Sequence, residues 1–219
     1  MKAVIFDMDG VIVDSELQWQ LAEVELFRRL VPLWRAEDHH KIVGLGVEDL
    51  YHFLAREYSM TAAKEHFLRE CHDLAEVVYD QRAALTPGVK ELLDDLRRRR
   101  VPIALASSSP RAWISMVLSR FALADFFSVV ACADDVPAGR TKPEPDLYLL
   151  ALRGLGLKAE SCLAIEDSAL GVRAAKRAGL TCAALRNGAN DAQDLSAADF
   201  ELRGLSGLTA VDLLARAAR

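Results

Sequence analysis

Between the turn at Thr86-Pro87-Gly88 and residue 219, short apolar runs of strand length alternate with segments of helical periodicity. This alternation predicts an α/β fold, because parallel strands need long crossover connections and those connections place helices on both faces of the sheet. We expect strands at 103–106, 127–131, 162–165, 181–185 and 200–202, and helices near 88–100, 111–119, 146–153 and 169–177 and from Leu208 onward.

A further predicted strand, at residues 3–6, ends in a charge cluster. Ala3-Val4-Ile5-Phe6 contains no polar residue, which is typical of a strand buried on both faces of a parallel sheet. Asp7-Met8-Asp9-Gly10 follows, and two carboxylates one residue apart at such a strand end need a cation or a proton to be tolerable. The free-energy cost of placing two carboxylates there indicates a functional site at the carboxyl end of the first strand.

The residues between these two regions have helical periodicity and hardly any strand signal. We therefore expect two domains, a core made of residues 1–14 and 87–219 and an inserted helical cap made of residues 15–86. Ligands of open α/β sheets bind at the carboxyl ends of the strands, so an insert after the first strand would cover the site like a lid. The hinges should lie near residues 14–15 and 85–87.

Composition narrows the classes of partner. The net charge of −5 combines 27 basic with 32 acidic residues, so nothing global favours a polyanion such as nucleic acid. No apolar run approaches the ~20 residues of a membrane span, and Met1-Lys2 leads directly into a strand pattern instead of a secretion signal. The four widely spaced cysteines are expected to be reduced and mostly buried. We expect a cytoplasmic monomer or weak homodimer that binds neither nucleic acid nor membrane.

Polar side chains follow several of the predicted strands or lie in the loops beside them. Each has an ordinary structural explanation when taken alone, and Asp146 in particular is expected to cap a helix that begins at Leu147. Because the carboxyl ends of parallel strands share one edge, these side chains are expected to lie close together. The carboxylates would then bind Mg²⁺, and the lysine, the hydroxyls and nearby backbone amides would bind phosphate oxygens. The four groups are Asp7 with Asp9, Ser107-Ser108-Ser109 at the start of a predicted helix, Lys142, and Glu166 with Asp167.

Two other cation or phosphate motifs do not fit. In a calcium-binding loop Gly10 and Glu16 would stand at positions six and twelve, but position one would be Ile5. The residues before Asp7 also predict a strand, where a calcium loop needs a helix. The Gly-Lys-Ser/Thr of a P-loop does not occur in the sequence.

In this order the four groups resemble the motifs of the haloacid dehalogenase superfamily of phosphohydrolases, specifically its β-phosphoglucomutase-like phosphatases with a small helical cap. Asp7-Met8-Asp9-Gly10-Val11 is similar to the first motif, Ser107 to the second, Lys142 to the third and Glu166-Asp167 to the fourth. The resemblance covers nearly the whole chain. It implies a Rossmann-like core with the cap inserted between the first and second motifs.

The resemblance also implies a role for each residue. Asp7 would attack phosphorus and become an aspartyl phosphate, while Asp9 would protonate the leaving alcohol and then activate water. Mg²⁺ would be the cofactor, held by Asp7, the Asp9 carbonyl oxygen and Asp167, with Glu166 assisting through water. The phosphoryl group of a small phosphorylated substrate would be bound by Lys142, Ser107 and backbone amides near Asp9 and Ser108.

Several activities compete within this resemblance. Dehalogenases lack the second aspartate, so Asp9 argues against halide release. Mutases carry a histidine shortly after the first motif and an arginine in the cap, and residues 14–19 and 43–49 contain neither here. Hydrolysis of small phosphomonoesters, above all sugar or polyol phosphates, is therefore favoured over phosphosugar mutase activity. A phospho-accepting signalling module without turnover is a weaker alternative, because that module has no large helical insert.

The cap is expected to select the substrate. Trp19 could stack on a sugar face or belong to the core of the cap. Arg140, in a loop longer than is usual in the family, could contact phosphate or only lengthen that loop. The charged candidates in the cap, each most simply explained as a solvated charge, are His39, His40, Lys41, Glu48, Arg56 and Lys64.

Overall fold

The first strand, β1 (Ala3–Phe6), lies in the middle of a six-stranded sheet in which every neighbouring pair is parallel. This computed structural model describes residues 1–218, and two further strands, β2 (Val13–Asp14) and β3 (Ala84–Leu85), form a separate antiparallel ribbon. The remaining strands are β4 (Ile103–Ala106), β5 (Val129–Ala131), β6 (Cys162–Glu166), β7 (Thr181–Leu185) and β8 (Phe200–Leu202). The order across the sheet is β5-β4-β1-β6-β7-β8, which confirms the predicted parallel α/β sheet with its Rossmann-like core.

The α-helices of the described residues fall into two groups. Three of them lie between β2 and β3, and the other five lie among and after the strands of the large sheet. The first group is α1 (Glu16–Leu30), α2 (Val47–Glu57) and α3 (Lys64–Glu76). The second group is α4 (Val89–Arg98), α5 (Arg111–Arg120), α6 (Asp146–Leu155), α7 (Ala169–Arg177) and α8 (Ala210–Arg216).

Helices cover both faces of the sheet because its central strand is apolar on both sides. Side chains alternate along β1, so Val4 and Phe6 pack with apolar residues of α4, α5 and α8. Ala3 and Ile5 point to the opposite face and pack with α6 and α7. All four residues are completely buried. The chain leaves the interior of the sheet after Phe6, so the charged residues that follow lie at the carboxyl edge of the sheet.

The chain between β2 and β3 is built from helices, including a 3₁₀-helix at Ala36–Lys41 and a π-helical turn at Val77–Arg82. We call it the helical insert. It contacts the loops at the carboxyl edge of the sheet, where Asp49 accepts hydrogen bonds from the Thr141 hydroxyl and from the Gly139 amide. The insert thus lies over the expected site, and the domain boundaries at 14/15 and 86/87 stay a prediction.

Two local predictions, at β5 and at the start of α6, are wrong. The strand expected at 127–131 starts only at Val129, because Ala124–Phe126 form a 3₁₀ turn just before it. Asp146 does not cap a helix that begins at Leu147, because it is itself the first residue of α6. Its carboxylate instead accepts hydrogen bonds from Arg140 Nε and Nη2, at 3.1 and 3.0 Å.

The cysteines agree with the expectation. All four are free and buried. Burial raises the pKa of the Cys132 thiol to about 11, so this thiol is protonated at neutral pH and chemically quiet. Within residues 1–218, the helices are too short or too polar to cross a bilayer.

Candidate active site

A buried lysine joins two carboxylates at the carboxyl edge of the sheet. Lys142 Nζ lies 2.5 Å from Asp7 Oδ1 and 2.6 Å from Glu166 Oε1, and its side chain is only 2% exposed. Burial alone lowers the pKa of a lysine, but the charges of Asp7 and Glu166 outweigh it and raise the pKa of Lys142 above its ordinary value. The ammonium group is therefore permanently charged and held against Asp7.

Glu166 has a second partner besides Lys142. Tyr148 donates its hydroxyl to Glu166 Oε1 at 2.5 Å. Glu166 is completely buried, and burial raises its pKa to about 7. The neighbouring Gly171 can only be glycine without a rearrangement, because a Cβ there would lie 1.9 Å from Glu166 Oε2. These contacts hold the Glu166 carboxyl group in one position beside the cluster.

Three buried carboxyl groups meet at this edge with a single ammonium among them. Asp7, Glu166 and Asp167 each offer an oxygen within 4.8 Å of the others. Burial and the nearby carboxylates of Glu16 and Asp7 raise the pKa of Asp167 well above its ordinary value. One lysine cannot neutralise three carboxylates, so the cluster fits a divalent cation with hard oxygen ligands.

Asn187 fixes Asp167 in this cluster. Its side-chain amide donates to Asp167 Oδ2 at 2.9 Å and to the Gly10 carbonyl oxygen at 3.0 Å. Gly10 has a φ of +72°, and a Cβ there would lie 1.9 Å from Asp167 Oδ2, so the close approach of these two loops requires glycine. The sequence interpretation missed Asn187, although its place just after β7 puts it at the carboxyl edge.

Asp9 has different surroundings from Asp7. Its Oδ1 accepts hydrogen bonds from Ser15 Oγ at 2.6 Å and from the Tyr79 hydroxyl at 2.8 Å, and its Oδ2 accepts one from Ser109 Oγ at 3.0 Å. Burial is the main cause that raises the pKa of Asp9 above its ordinary value. Asp9 therefore holds a proton more readily than an exposed aspartate does, which suits a proton donor and acceptor.

The three serines after β4 lie beside Asp7 and Lys142 on the same cavity. Ser107 Oγ accepts a hydrogen bond from the Ser109 amide at 3.1 Å, while the buried Ser108 hydroxyl has no partner within the described residues. The serines were expected to open a helix, but α5 begins only at Arg111, so they belong to the loop before it. The structure thus brings the four predicted motif groups together at one edge.

The helical insert supplies the other wall of the cavity. Of the six charged candidates in the insert, only His39 lines the cavity. Lys41 and Lys64 form ion pairs with Asp38 and Glu48, at 2.5 and 2.8 Å, away from it. Arg140 also lies outside the cavity, bound to Asp146, so its contacts are those of a loop.

Two acidic residues of the cavity, the buried Glu23 and the half-buried Glu16, were not anticipated. Glu16 and Glu23 stand seven residues apart, which places them on the same side of α1, and both line the cavity. Burial raises the pKa of each to about 8, and the carboxylates of Asp9 and Glu23 add to the effect at Glu16. The helical spacing was the available signal, but it could not show which side of α1 faces the core.

Comparison with known proteins agrees with this geometry. The family model for haloacid dehalogenase-like hydrolases matches residues 1–179. The phosphorylated carbohydrates phosphatase of Thermotoga maritima is 34% identical over 184 residues, 82% of each chain, and the beta-phosphoglucomutase of Bacillus subtilis is 31% identical over 216 residues, 95% of this chain and 92% of its own. The crystal structure of CbbY from Rhodobacter sphaeroides in complex with phosphate has a TM-score of 0.83 at 26% identity and covers 97% of this chain and 99% of that one. The chain belongs to the haloacid dehalogenase-like hydrolases.

Proposed function

We propose that this enzyme is a Mg²⁺-dependent phosphoric monoester hydrolase that acts on small phosphomonoesters, namely sugar or polyol phosphates, through an aspartyl-phosphate intermediate. The observation that carries the proposal is the pair formed by Asp7, held by Lys142, and Asp9, held by three hydroxyl groups. A charged nucleophile and a separate proton donor one residue apart are what displacement of an alcohol from phosphorus requires.

Each side chain has a distinct task in this proposal. Asp7 attacks phosphorus with its carboxylate, and Asp9 gives its proton to the departing alcohol oxygen. Asp9 then takes a proton from the water that attacks the aspartyl phosphate, which releases inorganic phosphate and restores Asp7. Two easier displacements replace one difficult displacement.

The negative oxygens of the phosphoryl group need fixed positive charge and hydrogen-bond donors. Lys142 supplies the charge, while the unpartnered Ser108 hydroxyl and the Ser107 hydroxyl supply donors on the same cavity. Asp7, the Asp9 carbonyl oxygen and Asp167 would hold Mg²⁺, with Glu166 acting through water. When bound, Mg²⁺ neutralises charge on the transferring group.

The setting of the enzyme follows from the same features. The carbohydrate phosphatase among its relatives supports a small phosphorylated sugar or polyol as substrate. We infer that the protein acts in the cytoplasm as a monomer or weak homodimer, and that neither nucleic acid nor membrane is its partner. The four free thiols support a reducing compartment.

A substrate panel tests the proposal. The purified chain would be incubated with Mg²⁺ and hexose 6-phosphates, hexitol 6-phosphates, pentose 5-phosphates or β-glucose 1-phosphate. Release of inorganic phosphate would be measured beside the formation of isomeric sugar phosphates. We expect phosphate release from several of these compounds. Isomerisation of β-glucose 1-phosphate without phosphate release would contradict hydrolysis and favour the mutase.

A further inference from the structure

The cavity above Asp7 has walls of different origin. The core contributes Asp7, Asp9, Lys142 and the serine loop, whereas most of the remaining lining comes from the helical insert. On the insert side, Glu23 and His39 also line a second cavity of about 320 Å³ on the outer part of the insert. Glu23 and His39 therefore lie where the two cavities adjoin.

Glu23 is a buried acid without a hydrogen-bond partner. It is 8% exposed, and within the described residues its Oε2 atom has no partner at hydrogen-bonding distance. His39 Nδ1 lies 3.8 Å from this oxygen, which is too far for a hydrogen bond. A buried carboxyl oxygen left unsatisfied destabilises the fold, so its retention at a cavity wall points to a ligand that completes it.

The cavity contains no second cation. Lys142 is the only lysine or arginine among the described residues that line it, and Asp7 and Glu166 already occupy that ammonium group. A second phosphate on the insert side would therefore meet the carboxyl groups of Glu16 and Glu23 without a countercharge. Such an arrangement disfavours bisphosphates.

The protonation of the pair suits a neutral ligand group. Burial raises the pKa of Glu23 to about 8 and is the main cause that lowers the pKa of His39. Near pH 7 Glu23 is then a neutral carboxyl group that both donates and accepts, beside a neutral imidazole. A hydroxyl group, which also donates and accepts, is the complementary partner.

Apolar surface lies beside this polar pair. The indoles of Trp19 and Trp113 stack at 5.1 Å with an interplanar angle of 30°, and both line the cavity. Their ring nitrogens are already used, since Trp19 donates to Tyr79 and Trp113 donates to His72. The indoles thus offer carbon surface for the C–H face of a carbohydrate chain.

We propose that the Glu23 carboxyl group, with the His39 imidazole beside it, binds a hydroxyl group at the end of the substrate remote from phosphorus. The cavity would thereby select polyhydroxylated monophosphates over bisphosphates. This inference rests on the proposed phosphatase activity and adds the residues that recognise the leaving group.

The test compares two monophosphates that share a phosphate but not the hydroxyl groups. Sorbitol 6-phosphate carries the hydroxyls, and p-nitrophenyl phosphate does not. Glu23→Leu should lower kcat/KM for sorbitol 6-phosphate about 10- to 100-fold, mainly by raising KM, and change p-nitrophenyl phosphate hydrolysis by less than about 3-fold. Glu23→Gln keeps both hydrogen-bonding functions and should stay within about 5-fold of the wild type.

Controls separate the binding role from folding and from the proposed function. Glu25→Leu alters an exposed acid on the same helix, paired with Arg28, and should change neither substrate. His39→Phe should shift the substrate ratio in the same direction as Glu23→Leu. For the wild type, fructose 1,6-bisphosphate should be hydrolysed at least about 10-fold less efficiently than sorbitol 6-phosphate.

The outcomes are distinguishable. An unchanged substrate ratio in Glu23→Leu and His39→Phe, with p-nitrophenyl phosphate hydrolysis intact, would overturn the hydroxyl site and leave the phosphatase proposal standing. A wild-type preference for the bisphosphate would overturn it as well. Failure of the wild type to release phosphate from any substrate would instead overturn the proposed function, and the hydroxyl site with it.

Discussion

Asp7 and Asp9 show how one intervening residue separates two chemical roles. Asp7 follows the last residue of β1 and accepts a hydrogen bond from the Lys142 ammonium group. Asp9 faces the helical insert and is bound by hydroxyl groups of Ser15, Tyr79 and Ser109. A neighbouring ammonium group would favour the ionised carboxylate and oppose its protonation. Neutral hydroxyl donors oppose it less, so Asp9 can gain and lose a proton. The partners of the two carboxyl groups therefore support the proposed division between nucleophile and acid.

Substitution of each aspartate by asparagine should give a different kinetic signature. Asp7→Asn removes the nucleophile and should lower kcat by on the order of 10³-fold or more for every substrate. Asp9→Asn should still release about one equivalent of nitrophenol from p-nitrophenyl phosphate in a burst, because this leaving group departs without a proton, and then turn over slowly. Rapid-quench measurement of the first turnover distinguishes the two variants.

Both variants should remain folded, since Lys142 keeps its bond to Glu166 when Asp7 is replaced. Melting curves followed by circular dichroism would check this. A nitrophenol burst in Asp7→Asn, or steady turnover of sorbitol 6-phosphate by Asp9→Asn at the wild-type rate, is incompatible with the assigned roles.

Glu23 should make the stability of the protein depend on pH. Its pKa is about 8 in the folded chain against an ordinary value of 4.5. The folded state thus holds the proton more tightly, and this contribution to the free energy of unfolding is fully present below pH 4.5 and is lost as the pH rises through 8. The shift corresponds to at most about 5 kcal/mol, which relaxation and water entry reduce.

Glu23→Gln cannot ionise, so it should raise the free energy of unfolding at pH 8 by about 1 to 3 kcal/mol relative to the wild type. Little difference is expected at pH 4.5. Urea denaturation at the two pH values measures both numbers, and Glu25→Gln serves as the exposed control. The same pH dependence in Glu23→Gln and in the wild type would show that Glu23 is not held protonated.

At the scale of elements, the loop before α2 decides how closely the insert approaches the core. A Cβ on Gly46 would lie 2.9 Å from the Ser108 carbonyl oxygen, in the loop that carries the proposed phosphate-binding hydroxyls. The backbone of Gly46 has ordinary angles, with φ at −68°, so alanine would be unstrained there by itself. Any effect of alanine must therefore arise from the contact between insert and core.

Gly46→Ala should push the insert away from Ser108 and lower kcat/KM by about 10-fold for sorbitol 6-phosphate and p-nitrophenyl phosphate alike, because small displacements of positioning groups are costly. Its melting temperature should change little. Gly156→Ala is the matched control: Gly156 has a φ of +65° and open space around it, at the end of α6. That variant should lose about 1 kcal/mol of stability and keep its activity, so an active Gly46→Ala would refute the role of this contact.

The elements and the site differ in how far the sequence could predict them. Strands such as β1 and the helices of the core follow from apolar periodicity, which acts over a few residues. The four motif groups could be joined because parallel strands share a carboxyl edge. The bonds from Tyr79 and Ser109 to Asp9 join residues 70 and 100 positions apart. The first depends on how the insert packs on the core, and the second depends on the pairing of β1 with β4. No local pattern contains that information, which is also why Glu23 was not among the predicted site residues.

For the whole molecule, the site lies between two parts of the chain that are joined through the ribbon of β2 and β3. Asp7, Lys142 and Asp167 come from the core, whereas Glu16 and Tyr79 come from the insert. The cavity is therefore complete only when both parts meet. We still predict hinges near residues 14–15 and 85–87, at the ribbon, because movement of the insert about them would let the substrate enter.

The acidic cluster also links the cation to the stability of the whole chain. In the folded state Asp7, Glu166 and Asp167 are buried together, whereas in the unfolded chain they are separated and solvated. A cation that binds only the folded state should raise the free energy of unfolding by about 2.7 kcal/mol at a concentration 100 times its Kd. We expect Mg²⁺ to raise the melting temperature relative to a sample in EDTA, and EDTA to abolish phosphate release. Asp167→Asn should lose most of the thermal response while the exposed control Asp125→Asn keeps it, and an equal response in Asp167→Asn would place the cation elsewhere on the molecule.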